Sequence, residues 1–366
     1  MIKLKKNKWR TVPLGEICKL EYGNNLTDRM RNGGSVPVYG SAGIVGWHDK
    51  PLTNSPTLIV GRKGSVGNVF YSEIPCYPID TTYYVEETVC NENLRWLELF
   101  LSNFNLRQLN MATAVPGLNR NIAHLIQIPL PPIEEQKQIA ALFQSIETAI
   151  KNVERQEKNL KSIQKSLVNG LFQKEPLFGN LLSSKNCTDV TIGEIAECDK
   201  KYPGHEKEIE RFVGLEYMEA DNFKLQGWGE IANGTTFTKR FATGDVLFGK
   251  RRAYLKKIAV ADFDGICSGD ILVIRAKAKR MLQGLMPYYI SSDAFIQHAV
   301  STSAGSLSPR TKWKDLAELE VSIPDLKTQG KILEVLQQLD NTVNQLKQQR
   351  ITLKNLKQKL LNEILG

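Results

Sequence analysis

Residues 131–171, PPIEEQKQIAALFQSIETAIKNVERQEKNLKSIQKSLVNGL, carry the pattern that decides the architecture, and the chain writes a variant of it again at 324–365. Apolar side chains recur at Ile139, Leu142, Ile146, Ala149, Val153, Leu160, Ile163 and Leu167, with one interruption at Gln156. Alternating steps of three and four place these groups in one seam of a single long helix, with Lys, Glu, Gln and Asn on its other faces. The second stretch repeats the seam with Ile332, Val335, Leu339, Val343, Leu346, Leu353, Leu356, Leu360 and Ile364, skipping the turn at Gln349 and Arg350. Either seam alone leaves a row of Leu and Ile in water, and the nearest cover for one is the other. The pattern therefore predicts two long antiparallel helices forming an intramolecular coiled coil. A helix of about 36 residues at ~1.5 Å per residue is roughly 55 Å long, enough to hold whatever precedes each helix at a set distance. The competing arrangement lays both helices on globular domains as amphipathic core elements.

What precedes each helix is also written twice. WRTVPLGEIC at 9–18 returns as DVTIGEIAEC at 189–198, with Gly15-Glu16-Ile17 against Gly193-Glu194-Ile195, an offset of 178. LIVGRKG at 58–64 parallels VLFGKRR at 246–252, with Gly61 against Gly249, an offset of 188. Pro131 against Pro324 and Gln136 against Gln329 both give 193. An offset that only grows along the chain describes a duplicated unit with small insertions, hence a pseudo-two-fold internal repeat. The expected map is a first globular domain at 1–132, a first spacer helix at 133–172, a linker and second domain at 173–325, and a second spacer helix at 326–366.

Within the first unit, PVY before GSAGIVGW reads as a strand and glycine turn; LIVG, the loop RKGSVG and NVFY read as a hairpin; TTYYV is a further strand and LRWLELFLSNFNLRQL a helix. In the second, RFVGLEYM, DVLFG, KKIAVA and DILVIRA are strand candidates and MLQGLMPYYISSDAFIQHAV holds helices. The mixture defines an α/β (mixed α+β) unit rather than a bundle.

Length and composition fit a folded chain: 366 residues have room for two or three domains, and 42% hydrophobic content suffices for packed cores. The start MIKLKKNKWR lacks the apolar run of a signal peptide, and no eighteen consecutive residues are apolar, so a soluble, cytoplasmic protein with no membrane partner is expected. Cys18, Cys76, Cys90, Cys187, Cys198 and Cys267 are scattered without a CxxC pair, which points to free thiols rather than a zinc site or disulfide framework. A formal charge of +9 favours an anionic partner such as nucleic acid.

The duplicated unit, its basic hairpin loops and the linking helices together resemble the specificity subunit of type I restriction-modification systems. PVYGSAGIVG at 37–46, GRKGSVGNVFY at 61–71, GLNRNIAHLIQIPLPPIEEQKQIA at 117–140 and GSLSPRTKWKDLAELEVSIPDLKTQGKI at 305–332 carry the resemblance, which spans essentially the whole chain. It implies that each globular unit is a target-recognition domain reading one half of a split double-stranded DNA sequence, while the paired helices set the spacing and seat two modification (methyltransferase) subunits. It further implies no cofactor in this chain: S-adenosylmethionine serves the methyltransferase partners, and ATP with magnesium serves the restriction (endonuclease and translocase) subunits. The second copy departs from the pattern at Asp325, where the first has its second proline, and at Lys327-Thr328, where the first has paired glutamates. The two docking surfaces, expected around Glu134, Glu135, Gln136 and Gln329, are then unequal.

DNA contact is expected from loops that match across the repeat. Arg62 and Lys63, and Lys250, Arg251 and Arg252, follow the same apolar strand in each copy; Asn119 with Arg120, and Arg310 with Lys312, precede the long helices. Arg or Lys at a loop tip pairs with guanine O6 and N7 or with phosphate, and the sequence leaves both open, along with a solvated hairpin end. Tyr39, Tyr83, Tyr84 and Tyr254 are candidates for base contact or for core.

Enzymatic readings find little support. GDVLFGKR at 244–251 imitates GxxxxGK, but Arg251 stands where a magnesium-binding Ser or Thr belongs and VLF is strand-like. GRKGSVG lacks the dinucleotide fingerprint, and His48, His124, His205 and His298 lack metal-ligand spacing. Asp80 and Asp270 correspond in the repeat without nuclease-like neighbours, which suits structural caps. A non-catalytic DNA reader is expected, with a coiled-coil scaffold that assembles a complex without reading DNA as the alternative.

Overall fold

A computed structural model describes residues 6–109, 117–171, 187–199 and 209–366; His205 and residues 173–186, which open the segment expected to begin with a linker, lie outside them. The chain divides into two compact units at Glu154/Arg155 and at Lys347/Gln348. The boundaries fall inside the two long helices, Ile133–Gly170 and Leu326–Leu365, so each unit contains half of each.

In the first unit a four-stranded antiparallel sheet has the spatial order Glu21–Tyr22, Thr82–Glu86, Thr57–Gly61, Val69–Ser72. Thr57–Gly61 is buried along its whole length, as its unbroken apolar run requires of a central strand. A second sheet places Val36–Gly40 between Gly43–His48, antiparallel, and Tyr77–Pro78, parallel. Arg10–Pro13 pairs with Gln127–Leu130 and thereby returns the chain to the start of the long helix. The helix Leu94–Asn103 begins at Asn93, whose side chain accepts from Trp96 N at 2.9 Å, and buries Trp96, Leu97 and Phe100 against the larger sheet.

The second unit repeats this plan. Its main sheet runs Ala196–Cys198, Ile271–Ala276, Val246–Gly249, Ile258–Val260, the same order and sense as in the first. In its other sheet Arg211–Val213 pairs antiparallel with Gly229–Glu230 and parallel with Gly265–Cys267, and Lys239–Phe241 is an added edge strand. Cys187–Thr191 pairs with Glu320–Pro324 as Arg10–Pro13 does with Gln127–Leu130.

The long helices pair antiparallel within each unit. In the first, Lys357 Nζ reaches Glu147 Oε1 at 2.6 Å and Lys354 Nζ reaches Glu154 Oε1 at 2.9 Å, so advancing along one helix retreats along the other. In the second, Gln164 Nε2 donates to Asp340 Oδ1 at 2.6 Å. The buried line of the first helix is Ile139, Phe143, Ile146, Ile150 and Val153, then the carboxylate of Glu157. The expected seam is thus displaced: Leu142 and Ala149 flank the buried line, and Ile163, Val335 and Leu356 are exposed. The physical reason is that the helix ends serve two surfaces. Ile139, Ala140 and Phe143, with Leu361, Ile364 and Leu365, belong to the core of the first unit, and Val168, Leu171, Ile332 and Leu336 to that of the second. Coiled-coil pairing and packing on the domains, set against each other by the sequence, both occur.

The helix starts are made differently. Pro132 O accepts from Glu135 N at 2.8 Å, and Glu134 and Glu135 complement the helix dipole. In the second copy Asp325 caps instead: its Oδ1 accepts from Lys327 N at 2.9 Å and Thr328 N at 3.0 Å. The departure from proline is therefore a replacement of one stop-and-start device by another.

Candidate nucleic-acid interface

Both copies of the main sheet end their central strand in the same backbone device. In the first unit Leu118 N donates to Arg62 O at 2.9 Å and Lys63 forms an isolated bridge with Gly117. In the second, Thr311 N donates to Lys250 O at 3.1 Å and Arg251 bridges Arg310. The loop after the central strand is thus clipped to the loop before the long helix, bringing together groups that the sequence lists some sixty residues apart. Arg62 N donates to Thr81 O and Lys250 N to Asp270 O, both at 2.9 Å, which fixes a further equivalence. It corrects the sequence alignment by one residue, because the partner of Asp270 is Thr81 and not Asp80.

Equivalent backbones carry unlike side chains. In the first unit the ring of Tyr22 is shared by two guanidiniums, with Arg62 4.9 Å and Arg120 4.8 Å from its centroid. Arg62 also lies 5.8 Å from the Tyr83 ring and donates through Nη2 to Asp80 O at 2.9 Å. Among the described residues neither guanidinium pairs with a carboxylate, and the tyrosine faces hold them where like charges would otherwise separate. Lys63 is exposed beside them. Gly67 shapes the same loop: its φ is +79°, and a Cβ there would sit 2.9 Å from the Cβ of Leu106. Asn119 is committed to structure, its side chain accepting from Asn121 N and Ile122 N at the start of a short helix.

In the second unit an arginine of the clipped loops is paired with a carboxylate. Arg310 donates through Nε to Asp270 Oδ1 at 2.7 Å and through Nη2 to Oδ2 at 3.1 Å, and Arg251 Nη1 approaches the same carboxylate at 3.8 Å. The Arg310 hydrogen bonds hold the Asp270 carboxyl below the usual carboxylate range. Arg252 donates its backbone N–H to Pro309 O at 2.8 Å and is left-handed at φ 54°, as is Lys256 at 49°. Such strained non-glycine positions at both ends of one turn need a surrounding structure that holds them. Between them the turn Ala253–Leu255 leaves Tyr254 and Leu255 exposed. Lys312 is exposed and makes no side-chain cap.

The other candidates separate cleanly. Tyr39 and Tyr83 are buried, Tyr83 donating its hydroxyl to Leu118 O at 2.9 Å, and Tyr84 is half-buried. Tyr22, the aromatic residue that does meet the basic loops, was not singled out in the sequence; its place in a two-residue edge strand gave little signal. Gln136 and Gln329, expected on docking surfaces, are fully buried and spend their amides inside their own units. Glu134 is exposed, and Glu135 accepts from Trp9 Nε1 at 3.0 Å.

Among the described residues no three His, Cys, Asp or Glu gather as a metal set. Val246–Gly249 within GDVLFGKR is a buried central strand, so its glycines flank a strand rather than form a phosphate-cradling loop before a helix. His124 Nε2 accepts from Leu20 N at 3.1 Å, His48 Nδ1 from Asn32 N at 3.3 Å, and His298 Nε2 bonds Asp315 O at 2.7 Å, which accounts for the described histidines structurally. Burial pushes the Cys18 and Cys267 thiols up to about 12, as expected of inert core cysteines. No helix among the described residues is long and apolar enough to cross a membrane.

A twice-repeated mixed α+β unit, each copy followed by a long helix and presenting a clipped pair of basic loops, defines a two-domain protein of the recognition class. The chain belongs to the family of the type I restriction modification DNA specificity domain, whose pattern matches residues 6–162 and again 184–355. It is similar to the type I restriction enzyme EcoDI specificity subunit of Escherichia coli, 24% identical over 373 residues that cover 90% of this chain and 81% of that one. The type I restriction enzyme MjaVIII specificity subunit of Methanocaldococcus jannaschii is 22% identical over 401 residues, covering 100% and 90%. Among solved structures, the type I restriction-modification system S subunit from M. genitalium shares the fold with a TM-score of 0.66 at 16% identity, over 98% of this chain and 97% of that one.

Proposed function

We propose that this chain is the DNA sequence-specificity subunit of a type I restriction-modification enzyme, each globular domain reading one half of a bipartite, gapped target. The observation that carries this reading is the duplicated loop clip: one backbone frame, used twice, presents Arg62, Arg120 and Lys63 in one unit and Arg310, Arg251, Arg252 and Lys250 in the other. A shared frame with unlike side chains suits two different half-sequences, some of its cations holding phosphate and others facing base edges, which are distinguished by the donors offered to them. The paired helices set the spacing, and exposed Glu134 at the first helix start, with Lys327 at the second, offers unequal seats to two methyltransferase subunits. The chain has no catalytic task of its own: methyl transfer from S-adenosylmethionine, and ATP-driven translocation with cleavage, belong to partner subunits in the cytoplasm.

The test is coexpression with the candidate methyltransferase in a methylation-free host, followed by genome-wide mapping of methylated adenines beside controls lacking either partner. A single gapped motif that requires both proteins is the expected result. Methylation by the partner alone, with an unchanged motif, would favour a scaffold that assembles the complex without reading DNA.

A further inference from the structure

Arg310 is fixed in place by its own unit. Its backbone N–H donates to Ala304 O and its carbonyl accepts from Ala304 N, both at 3.0 Å, while the opposite side is bridged to Arg251. Its side chain is held sideways by Asp270, whose backbone oxygen in turn accepts from Lys250 N at 2.9 Å. This side-on pairing consumes Nε–H and one Nη2–H. Nη1 has only a long contact to Ser308 O at 3.4 Å, so the outer edge of the guanidinium keeps parallel donors for a ligand.

Two acceptors suit such an edge, a phosphate and the O6/N7 edge of guanine. Asp270 decides between them. A carboxylate already in contact offsets the charge of Arg310 and repels a phosphate, whereas it leaves the two-donor geometry toward a neutral base intact. The unpaired arginines of the first unit lack this carboxylate, since Thr81 occupies the place of Asp270 and Gly117 that of Arg310. Arg252 and Lys250 remain beside Arg310 for the DNA backbone.

We propose that Arg310, oriented by Asp270, is a base-reading side chain of the second unit and takes the O6/N7 edge of one guanine in the major groove of that unit's half-site. The inference rests on the DNA-reading function proposed above. It assigns Asp270 as a positioning residue and makes the second half-site dependent on a particular guanine, with no counterpart at the same frame position in the first.

The experiment measures binding of the assembled complex to duplexes carrying its mapped motif, with each guanine replaced in turn by 7-deazaguanine, which lacks the N7 acceptor. The wild-type complex should lose roughly tenfold or more in affinity at one guanine of one half-site. The Arg310→Ala complex should bind more weakly and be indifferent to that replacement, and Asp270→Asn should reduce the discrimination while steepening the salt dependence. The substituted DNA keeps the test valid should a variant fail to assemble. A half-site without such a guanine, or an Arg310→Ala loss that is equal on every duplex with a shallower salt slope, overturns the proposal and makes Arg310 a phosphate contact. A complex that methylates without any sequence motif overturns the DNA-reading function itself, an outcome separate from the first two.

Discussion

Gln136 of the first long helix and Gln329 of the second do the same work in their two units. Each is fully buried; Gln136 Oε1 accepts from Asn93 N and Gln329 Oε1 from Leu282 N, both at 2.9 Å. Each Nε2 donates back to the proline five positions earlier, Pro131 O and Pro324 O, again at 2.9 Å, and to one further acceptor, Glu92 Oε2 or Arg280 O. The amide therefore ties the helix start to the domain at three points. Removing it leaves a buried proline carbonyl without this donor and a half-buried backbone N–H without its acceptor, at about 1–3 kcal/mol for the buried group stranded and less for the other. Gln136→Ala and Gln329→Ala should each lower the denaturant midpoint, and Gln→Glu should not rescue either, because it loses the Nε2 donors. Equilibrium unfolding of the two variants checks this; an unchanged midpoint would show that the three-point tie does not stabilise the helix start.

The architecture was legible because its signals are long or repeated. Heptad spacing over four or more turns announced both helices, and matched residues such as Gly61 with Gly249 announced the duplication before any strand was placed. Period alone does not say which flank of a stripe faces a domain: Phe143 is fully buried in the first unit's core, whereas Leu142 packs against that core only partly buried. Site residues were legible as loops but not as geometry. Arg62 and Arg120 are far apart in sequence, and only the fold shows that both stack on Tyr22. Gln136 is expected on a docking surface from the resemblance, and a polar residue beside Glu134 and Glu135 gives no sign in the sequence that it is fully buried. Its recurrence five residues after a proline in both copies was the available clue.

Asp293 anchors the end of the first long helix to the second unit. Its Oδ1 accepts from Lys256 Nζ at 2.7 Å, and its Oδ2 from Asn169 Nδ2 at 2.9 Å, with Lys165 close by. The Lys256 hydrogen bond leads in holding its carboxyl down at about 2, against an ordinary 3.8. A depressed folded-state value means stabilisation that is present above the unfolded value and lost as pH falls through the folded one. The stability difference between wild type and Asp293→Asn should therefore be full at neutral pH and shrink between about pH 4 and pH 2. Urea unfolding at a series of pH values measures it, and a difference that persists undiminished at pH 2 would contradict the assignment.

Arg62 and Arg120 differ from Arg310 in having no carboxylate partner among the described residues, so their charge is available to phosphate. Each phosphate contact removed should lower the slope of log K against log salt by about 0.9 and weaken binding evenly across sequences. Arg62→Ala and Arg120→Ala complexes should both behave so. Tyr22→Leu, which removes the shared ring but no charge, should weaken binding while leaving the slope nearly unchanged. Titrations of the assembled complex at several salt concentrations separate the cases. A changed base preference with an unchanged slope would mean that Arg62 or Arg120 reads sequence.

The proposed role of the paired helices in setting the spacing is testable without touching the basic loops, because the helices pair antiparallel within each unit. One heptad inserted into each long helix, after Glu154 and after Lys347, preserves the phase of the buried seam and adds about 10 Å of helix at ~1.5 Å per residue. The same distance along B-DNA is roughly three base pairs at ~3.4 Å each. If the helices act as the ruler, the methylation motif of the doubly extended protein keeps both half-sequences and gains up to about that many unspecified base pairs between them. A heptad in only one helix mismatches the partner seam, and assembly rather than spacing should suffer. Altered half-sequences with the original gap would show instead that the spacing is set by the globular units, and that the helices serve only to seat partners.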